Sequence, residues 1–235
     1  MELAVKTACP PSIQGTPETD SGAFPGITNS GGPIKTYAIL AALLCAAAAH
    51  AQPLVDRIVG QLEASPSACT PVAADQPQRK LIEADVARFL MVAPVPPHLQ
   101  FEVMDCLDDG FVYQGSTIVL STRLARLNPA QRFFIMAHEL GHVNLAHHAA
   151  TTKFVSKTVR SARDERAARA RIASGLPPLS QQAELDADAF AIKLMRDAGE
   201  DPNEAARLFD SIGEGKDNAT HPSPGRRARA IRSML

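Results

Sequence analysis

The 235-residue sequence lacks an excess of either charge, a long hydrophobic run and an internal repeat. Lys and Arg total 24 against 25 Asp and Glu, a formal net charge of −1, so the composition does not indicate a nucleic-acid-binding protein. The apolar run at residues 38–49 is shorter than the roughly 20 residues that a membrane-spanning helix needs, so no transmembrane span is predicted. Without a repeat, nothing indicates an appended repeat domain.

The apolar run has the features of an export signal. Lys35 precedes it, and Ala49-His50-Ala51 fits the small-x-small pattern of signal-peptide cleavage sites. We therefore expect cleavage after Ala51, which leaves residues 52–235 as the mature domain. Residues 1–33 are rich in Pro, Gly, Ser and Thr, and we expect them to lie upstream of the natural translation start.

Cysteine is also scarce, with four in the chain. Removal of the signal peptide would take Cys9 and Cys45 and leave Cys69 and Cys106. An even number of cysteines in an exported protein predicts a disulfide between them. The alternative is two unpaired thiols, one of them buried.

The segment His138-Glu139-Leu140-Gly141-His142 has two histidines four residues apart. On a helix both lie on one face, where they can bind a single zinc ion while Glu139 takes a proton from water. The preceding residues 133–137 are apolar, so the helix is expected to be buried. Buried polar groups need partners, which a metal supplies, and this setting disfavours the alternative of two surface histidines.

A catalytic zinc usually has three protein ligands, and two residues are candidates for the third. His148 lies six residues after His142, but a continuing helix would rotate its side chain by roughly 240°, away from the metal. Glu184 lies four residues before Asp188 in a segment of helical spacing, residues 179–195. Glu184 can therefore bind the metal while Asp188 accepts a hydrogen bond from a ligand histidine. The alternative for the two carboxylates is a solvated acidic face.

Four segments in this order carry a family resemblance: Asn128 to Gln131 leading into the zinc motif and His147-His148, Glu184 to Asp188, Ala198 to Pro202, and Thr220 to Pro222 followed by Arg227. Together they resemble the HtpX-type and CAAX-prenyl-protease-like zinc metallopeptidases, particularly small secreted bacterial members. The resemblance covers about residues 80–235. It departs from the family pattern at residues 113–117, where relatives often have Pro-Gly-Gly.

The resemblance implies a zincin-like metallopeptidase domain that is α+β and mostly helical, with a small β-sheet. It implies one zinc ion per chain with His138, His142 and Glu184 as ligands, the gluzincin type, with Glu139 as general base. Asp188 would accept a hydrogen bond from the ring nitrogen of a ligand histidine that does not bind the metal.

The last segment implies two further site residues. His221 would approach the metal or the developing oxyanion, and Arg227 would brace that region and stabilise negative charge. A simpler alternative for His221 is a turn residue before Pro222.

The zinc motif and the export signal predict a periplasmic zinc endopeptidase. The family resemblance implies that it cleaves unfolded or misassembled envelope proteins in protein quality control. The alternative is a non-catalytic chaperone or assembly factor that retains the zinc for structure. Glu139 argues against that alternative, because a structural metal site needs no base.

Other segments predict secondary structure and contacts with substrate or lipid. The strand-like segment Phe111 to Thr122 could add an extended substrate peptide at its edge. Lys153 to Arg171 has seven basic residues against two acidic ones and is predicted to be a solvated helix or mobile flap beside the cleft; the alternative is a segment that contacts anionic lipid, as a peripheral membrane contact, or acidic substrate. Gly175 to Pro178 is expected to break the chain before the Glu184 helix. Further helices are predicted at 78–92, 202–212 and 224–234, with strands at 99–105 and 111–121.

Overall fold

The computed structural model describes residues 52–235, in which seven α-helices accompany one small sheet. The predicted signal peptide, the predicted cleavage site after Ala51 and the cysteines at positions 9 and 45 lie outside the described residues. The helices are α1 (residues 52–62), α2 (Pro77–Leu90), α3 (Pro129–Asn144), α4 (His147–Ser161), α5 (Glu165–Asp197), α6 (Asn203–Ile212) and α7 (Pro224–Arg232). The strands are β1 (Thr70–Pro71), β2 (Gln100–Asp105), β3 (Gly110–Tyr113) and β4 (Thr117–Ser121). The α+β, mostly helical prediction is confirmed. Within residues 52–235, no helix combines the length and apolar character needed to cross a membrane.

The sheet has the order β1-β2-β4-β3, with β2 and β4 parallel and the other two pairs antiparallel. The single strand predicted at 111–121 is wrong, because this segment is a hairpin of β3 and β4. Its turn passes through Gln114 and Gly115, whose φ angles are 50° and 67°. Glycine adopts this left-handed conformation without a steric penalty, so Gly115 permits the reversal. The hairpin makes β3 an edge strand.

The main core lies between the sheet, α3 and the second half of α5. Phe134 and Leu140 of α3 are fully buried with Ile118 of β4 and with Ile192 and Met195 of α5. These contacts fix α3 against both the sheet and α5, the two elements that flank the predicted zinc motif.

A second core joins α1, α4 and the first half of α5, with Val55, Val155 and Ile172 among its buried side chains. The predicted break at 175–178 is wrong, because α5 continues through Pro177 and Pro178. Proline removes backbone hydrogen bonds and disfavours a helix interior. Here side-chain burial on both sides of the prolines stabilises the helix, and Gly175 leaves room for the ring of Phe154, which would lie 2.7 Å from an added Cβ.

Cys69 and Cys106 form a disulfide in the structure. They lie next to the short β1–β2 ladder, in which Thr70 pairs with Asp105. The bridge therefore anchors the segment after α1 to the sheet.

Candidate metal centre

Helix α3 begins where the sequence predicts and carries the zinc motif into the core. The Asn128 side chain accepts a hydrogen bond from the Gln131 backbone, and the Gln131 side chain accepts one from the Asn128 backbone. This reciprocal capping, with Pro129 at the first helical position, fixes the start of the helix. His138 and Glu139 are consequently buried, at 5% and 7% exposure.

A close crossing of α3 and α5 brings the two halves of the centre together. Gly141 has no side chain at the crossing, and an added Cβ would lie 3.1 Å from the Cα and 3.2 Å from the carbonyl oxygen of Ala187. Ala187 lies between Glu184 and Asp188 in sequence, so this contact sets the height at which both carboxylates face the histidines.

The three predicted ligands converge. The Nε2 atoms of His138 and His142 lie 3.1 Å apart. Glu184 Oε2 lies 3.4 Å from His138 Nε2, and Glu184 Oε1 lies 3.3 Å from His142 Nε2. Two ligands about 2.05 Å from a tetrahedral zinc are separated by about 3.3 Å, so these spacings fit one zinc ion.

A second observation supports the fit to a metal. Glu184 Oε2 is buried and has no hydrogen-bond partner among residues 52–235. Arg227 Nη1 lies 3.1 Å from it as an ion pair without hydrogen-bond geometry. A buried carboxylate oxygen facing two imidazole nitrogens is a donor set that suits zinc. The residues present therefore fit the metal that the sequence predicts.

Asp188 and Arg227 lie behind the three donors. Asp188 is fully buried, and its Oδ1 accepts a hydrogen bond from His138 Nδ1 at 3.0 Å, which leaves the Nε2 lone pair of His138 for a metal. Arg227 donates to both Asp188 oxygens at 2.6 and 2.8 Å, and its guanidinium lies 4.3 Å from the ring centre of Phe209. These contacts hold Arg227 in place as a brace for Asp188 and Glu184.

The charges of the cluster shift the pKa values of its members. Burial and the charge of Arg227 lower the pKa of His138, but the hydrogen bond to Asp188 and the adjacent carboxylate of Glu184 outweigh them and raise it to about 9. Burial raises the pKa of the Glu184 carboxyl, but the adjacent rings of His138 and His142 lower it well below its usual range. In the metal-free protein the site therefore holds a protonated His138 against ionised carboxylates.

Glu139 lies between the donor cluster and the edge strand β3. Burial raises the pKa of its carboxyl above the ordinary value, against the opposing effect of His138 and His142. A Cβ added to Gly110, the first residue of β3, would lie 3.3 Å from Glu139 Cγ and 3.4 Å from its Oε1. The start of β3 therefore covers Glu139 closely. No pattern in the sequence indicates this role of Gly110.

His221 lies at the exposed side of the cluster. Its Nε2 is 3.6 Å from Glu184 Oε1, and its Nδ1 is 2.7 Å from Thr220 Oγ1. The Asn218 side chain accepts hydrogen bonds from the backbone N–H groups of Thr220 and His221 and shapes this loop. The structure thus brings His221 beside the ligand set, and its side chain is 53% exposed.

His147, for which the sequence predicts no role, contacts the centre from the far side of His142. Its Nδ1 lies 2.9 Å from His142 Nδ1. Burial and the neighbouring His142 lower the pKa of His147 to about 4. Its neighbour His148 points elsewhere and bonds to Glu63. The adjacent histidines His147 and His148 were the feature of the sequence that could have indicated this contact. The direction of each ring, however, depends on how the chain turns after α3.

Comparison with protein-family models identifies a peptidase family. The model of peptidase family M48 matches residues 78–235, and the chain belongs to this family. A comparison with curated proteins finds no similar sequence. The matched region contains α3, α5 and α7, and so includes every residue of the His138, His142 and Glu184 cluster.

Proposed function

We propose that this protein is a zinc-dependent endopeptidase of the gluzincin type. The family indicates metal-dependent proteolysis. The observation that carries the finer proposal is the convergence of His138, His142 and Glu184 within zinc-binding spacing, with the buried carboxyl of Glu139 directly after the first ligand in sequence. Retention of a carboxylate beside the ligands favours a hydrolase over a purely structural zinc site.

The chain's own residues have distinct parts in this reaction. Bound zinc would supply a Lewis acid that polarises the scissile carbonyl and makes water more acidic. Glu139 takes the proton of the attacking water at its carboxylate and returns it to the leaving amine. His221, beside the open side of the ligands, donates a hydrogen bond to the developing oxyanion. Arg227 holds Asp188 and Glu184 in place and adds positive charge to the region.

The substrate is proposed to bind as an added strand on β3. This strand is at the edge of the sheet, and a Cβ added to its first residue, Gly110, would lie 3.3 Å from Glu139 Cγ. An extended peptide paired with β3 would therefore pass the general base with its backbone aligned. Only a segment free of its own secondary structure can pair in this way, which favours unfolded or misassembled proteins as substrates.

We place this activity in the periplasm, in quality control of envelope proteins. The Cys69–Cys106 bridge supports an oxidising compartment, because disulfides form and persist there. The HtpX-type resemblance supports unfolded proteins as the substrate class within the family. The substrate class can be tested by incubating the protein with a full-length unfolded protein and with a prenylated peptide. We expect the unfolded protein to be cleaved and the prenylated peptide to remain intact.

Peripheral contact with anionic lipid is proposed for the hairpin of α4 and α5. All seven basic residues between Lys153 and Arg171 are exposed, and within the described part of the chain only Arg163 and Arg169 have carboxylate partners. Co-sedimentation with anionic vesicles tests this contact. Lys153→Glu with Lys157→Glu should reduce binding, and Lys193→Glu on the exposed face of α5 is the control. Equal binding by the charge-reversed variant would contradict the proposal.

The alternative of a non-catalytic chaperone with a structural zinc is separated by one experiment. Purified protein is incubated with reduced, unfolded casein before and after chelation, and zinc is then restored. We expect cleavage that is lost with the metal and regained with zinc. Suppressed aggregation of the client without cleavage, at one zinc per chain, would favour the chaperone.

A further inference from the structure

His142 presents its two ring nitrogens to different partners. Its Nε2 faces His138 Nε2 at 3.1 Å and Glu184 Oε1 at 3.3 Å. Its Nδ1, on the opposite side of the ring, lies 2.9 Å from His147 Nδ1. If Nε2 binds the metal, Nδ1 carries the proton of the neutral imidazole and must donate it to an acceptor.

The chain reverses locally to place His147 at that position. Helix α3 ends at Asn144, and α4 begins at His147. Between them Ala146 has a φ of 54°, a left-handed conformation that is uncommon for alanine. Had α3 continued, a residue five positions after His142 would be rotated by about 140° from it around the helix axis. The break at Ala146 brings the His147 ring back to His142.

We propose that His147 is a positioning residue whose Nδ1 accepts the Nδ1–H of His142 and holds that ring with Nε2 toward the metal. The inference rests on the proposed zinc site. The structure contains the equivalent arrangement for the other ligand, because Asp188 accepts from His138 Nδ1. Each histidine ligand thus has its own acceptor, a carboxylate for His138 and an imidazole for His142.

The adjacent His148 shows that position on α4 alone does not create this contact. Its Nδ1 bonds to Glu63, and its ring packs against Gly115 in the β3–β4 turn. His148 is one residue from His147 and has no hydrogen bond or ion pair with any of the three ligands. It is therefore a matched control of the same residue type, in the same helical turn.

The experiment measures zinc affinity by chelator competition and records the visible spectrum of the cobalt-substituted protein. His147→Ala should weaken zinc binding about 10- to 100-fold and change the cobalt spectrum. His147→Asn places an acceptor oxygen near the former Nδ1. It should restore the zinc affinity to within about threefold of that of the parent protein and should restore the parental cobalt spectrum. His148→Ala should leave both unchanged.

Unchanged zinc affinity and cobalt spectrum in folded His147→Ala would overturn the proposal. If His147→Ala does not fold, His147→Asn and His147→Gln decide, because Gln places its oxygen one methylene farther out. Parental affinity in both, or loss in both, contradicts positioning through Nδ1. Absence of zinc binding by the parent protein would instead refute the proposed function. A parent that binds zinc and cleaves, beside an unaffected His147→Ala, would refute this inference alone.

Discussion

Gly141→Ala tests whether the close crossing of α3 and α5 builds the metal centre. The substitution adds one methyl group at a buried position. The added carbon would lie 3.1 Å from Ala187 Cα, 3.2 Å from its carbonyl oxygen and 3.2 Å from Phe190 Cδ1. Two of these three neighbours are backbone atoms, which cannot rotate away.

The expected magnitude is a difference between two opposing effects. Alanine is favoured over glycine inside a helix by about 0.5–1 kcal/mol. Overpacking of a well-packed core costs about 1–3 kcal/mol, and fixed backbone neighbours favour the upper part of that range. We therefore expect Gly141→Ala to lower the free energy of unfolding by about 1–2 kcal/mol. Separation of the helices also moves Glu184 from the histidines, so zinc affinity should fall at least about tenfold.

Gly60→Ala is the matched control. Gly60 lies in α1, and an added Cβ there meets no atom within 4 Å. This variant should therefore gain about 0.5–1 kcal/mol and bind zinc normally. Urea unfolding of the metal-free proteins measures stability, and chelator competition measures affinity. A Gly141→Ala protein as stable as Gly60→Ala, with unchanged zinc affinity, would refute the reasoning.

Three other perturbations have definite expected outcomes. Reducing the Cys69–Cys106 bridge should lower the free energy of unfolding by about 4 kcal/mol, because the bridge closes a loop with a sequence separation of 37 residues. Peptide mapping after thiol labelling without reductant should find neither of these two cysteines labelled. His221→Ala should lower kcat about 100- to 1,000-fold, because the variant lacks a hydrogen-bond donor to the oxyanion. A rise in cleavage would instead identify His221 as a residue that blocks the metal site before substrate binds. Unchanged cleavage would mean that His221 is only a turn residue. The pKa of His138 is raised to about 9, so this ring is protonated at pH 7 without metal and zinc must displace its proton. Apparent zinc affinity should therefore fall as pH drops from 9 to 6, and calorimetry at pH 7 in two buffers of different ionisation enthalpy should detect proton release, whose absence would contradict the shift.

The candidate ligands could be predicted because each pair of residues depends on the spacing within its own helix. His138 and His142 are four residues apart, as are Glu184 and Asp188, and each pair needs only its own helix to share a face. The start of α3 followed from the Asn128 cap in the same local way. What spacing does not contain is the distance between the two helices, which depends on the contact of Gly141 with Ala187.

The features that were predicted wrongly or not identified lie where packing outweighs local preference or where the local sequence signal is weak. Pro177 and Pro178 disfavour a helix, but burial of the flanking turns in the second core keeps α5 continuous. The β3–β4 hairpin was predicted as one strand because Gln114-Gly115 is a weak turn signal between two strand-forming runs. His147 was not identified because its approach to His142 depends on the left-handed conformation of Ala146, a residue with no preference for it.

The central claim is that Glu139 is the general base of a zinc peptidase, and Glu139→Gln tests it most directly. This change removes the base and leaves His138, His142 and Glu184 in place. Zinc content and cleavage of unfolded casein are measured on the same preparations of the parent and the variant. We expect one zinc per chain in both, with cleavage by the variant lowered at least about 100-fold. Equal cleavage by the two proteins at equal zinc content would contradict the claim.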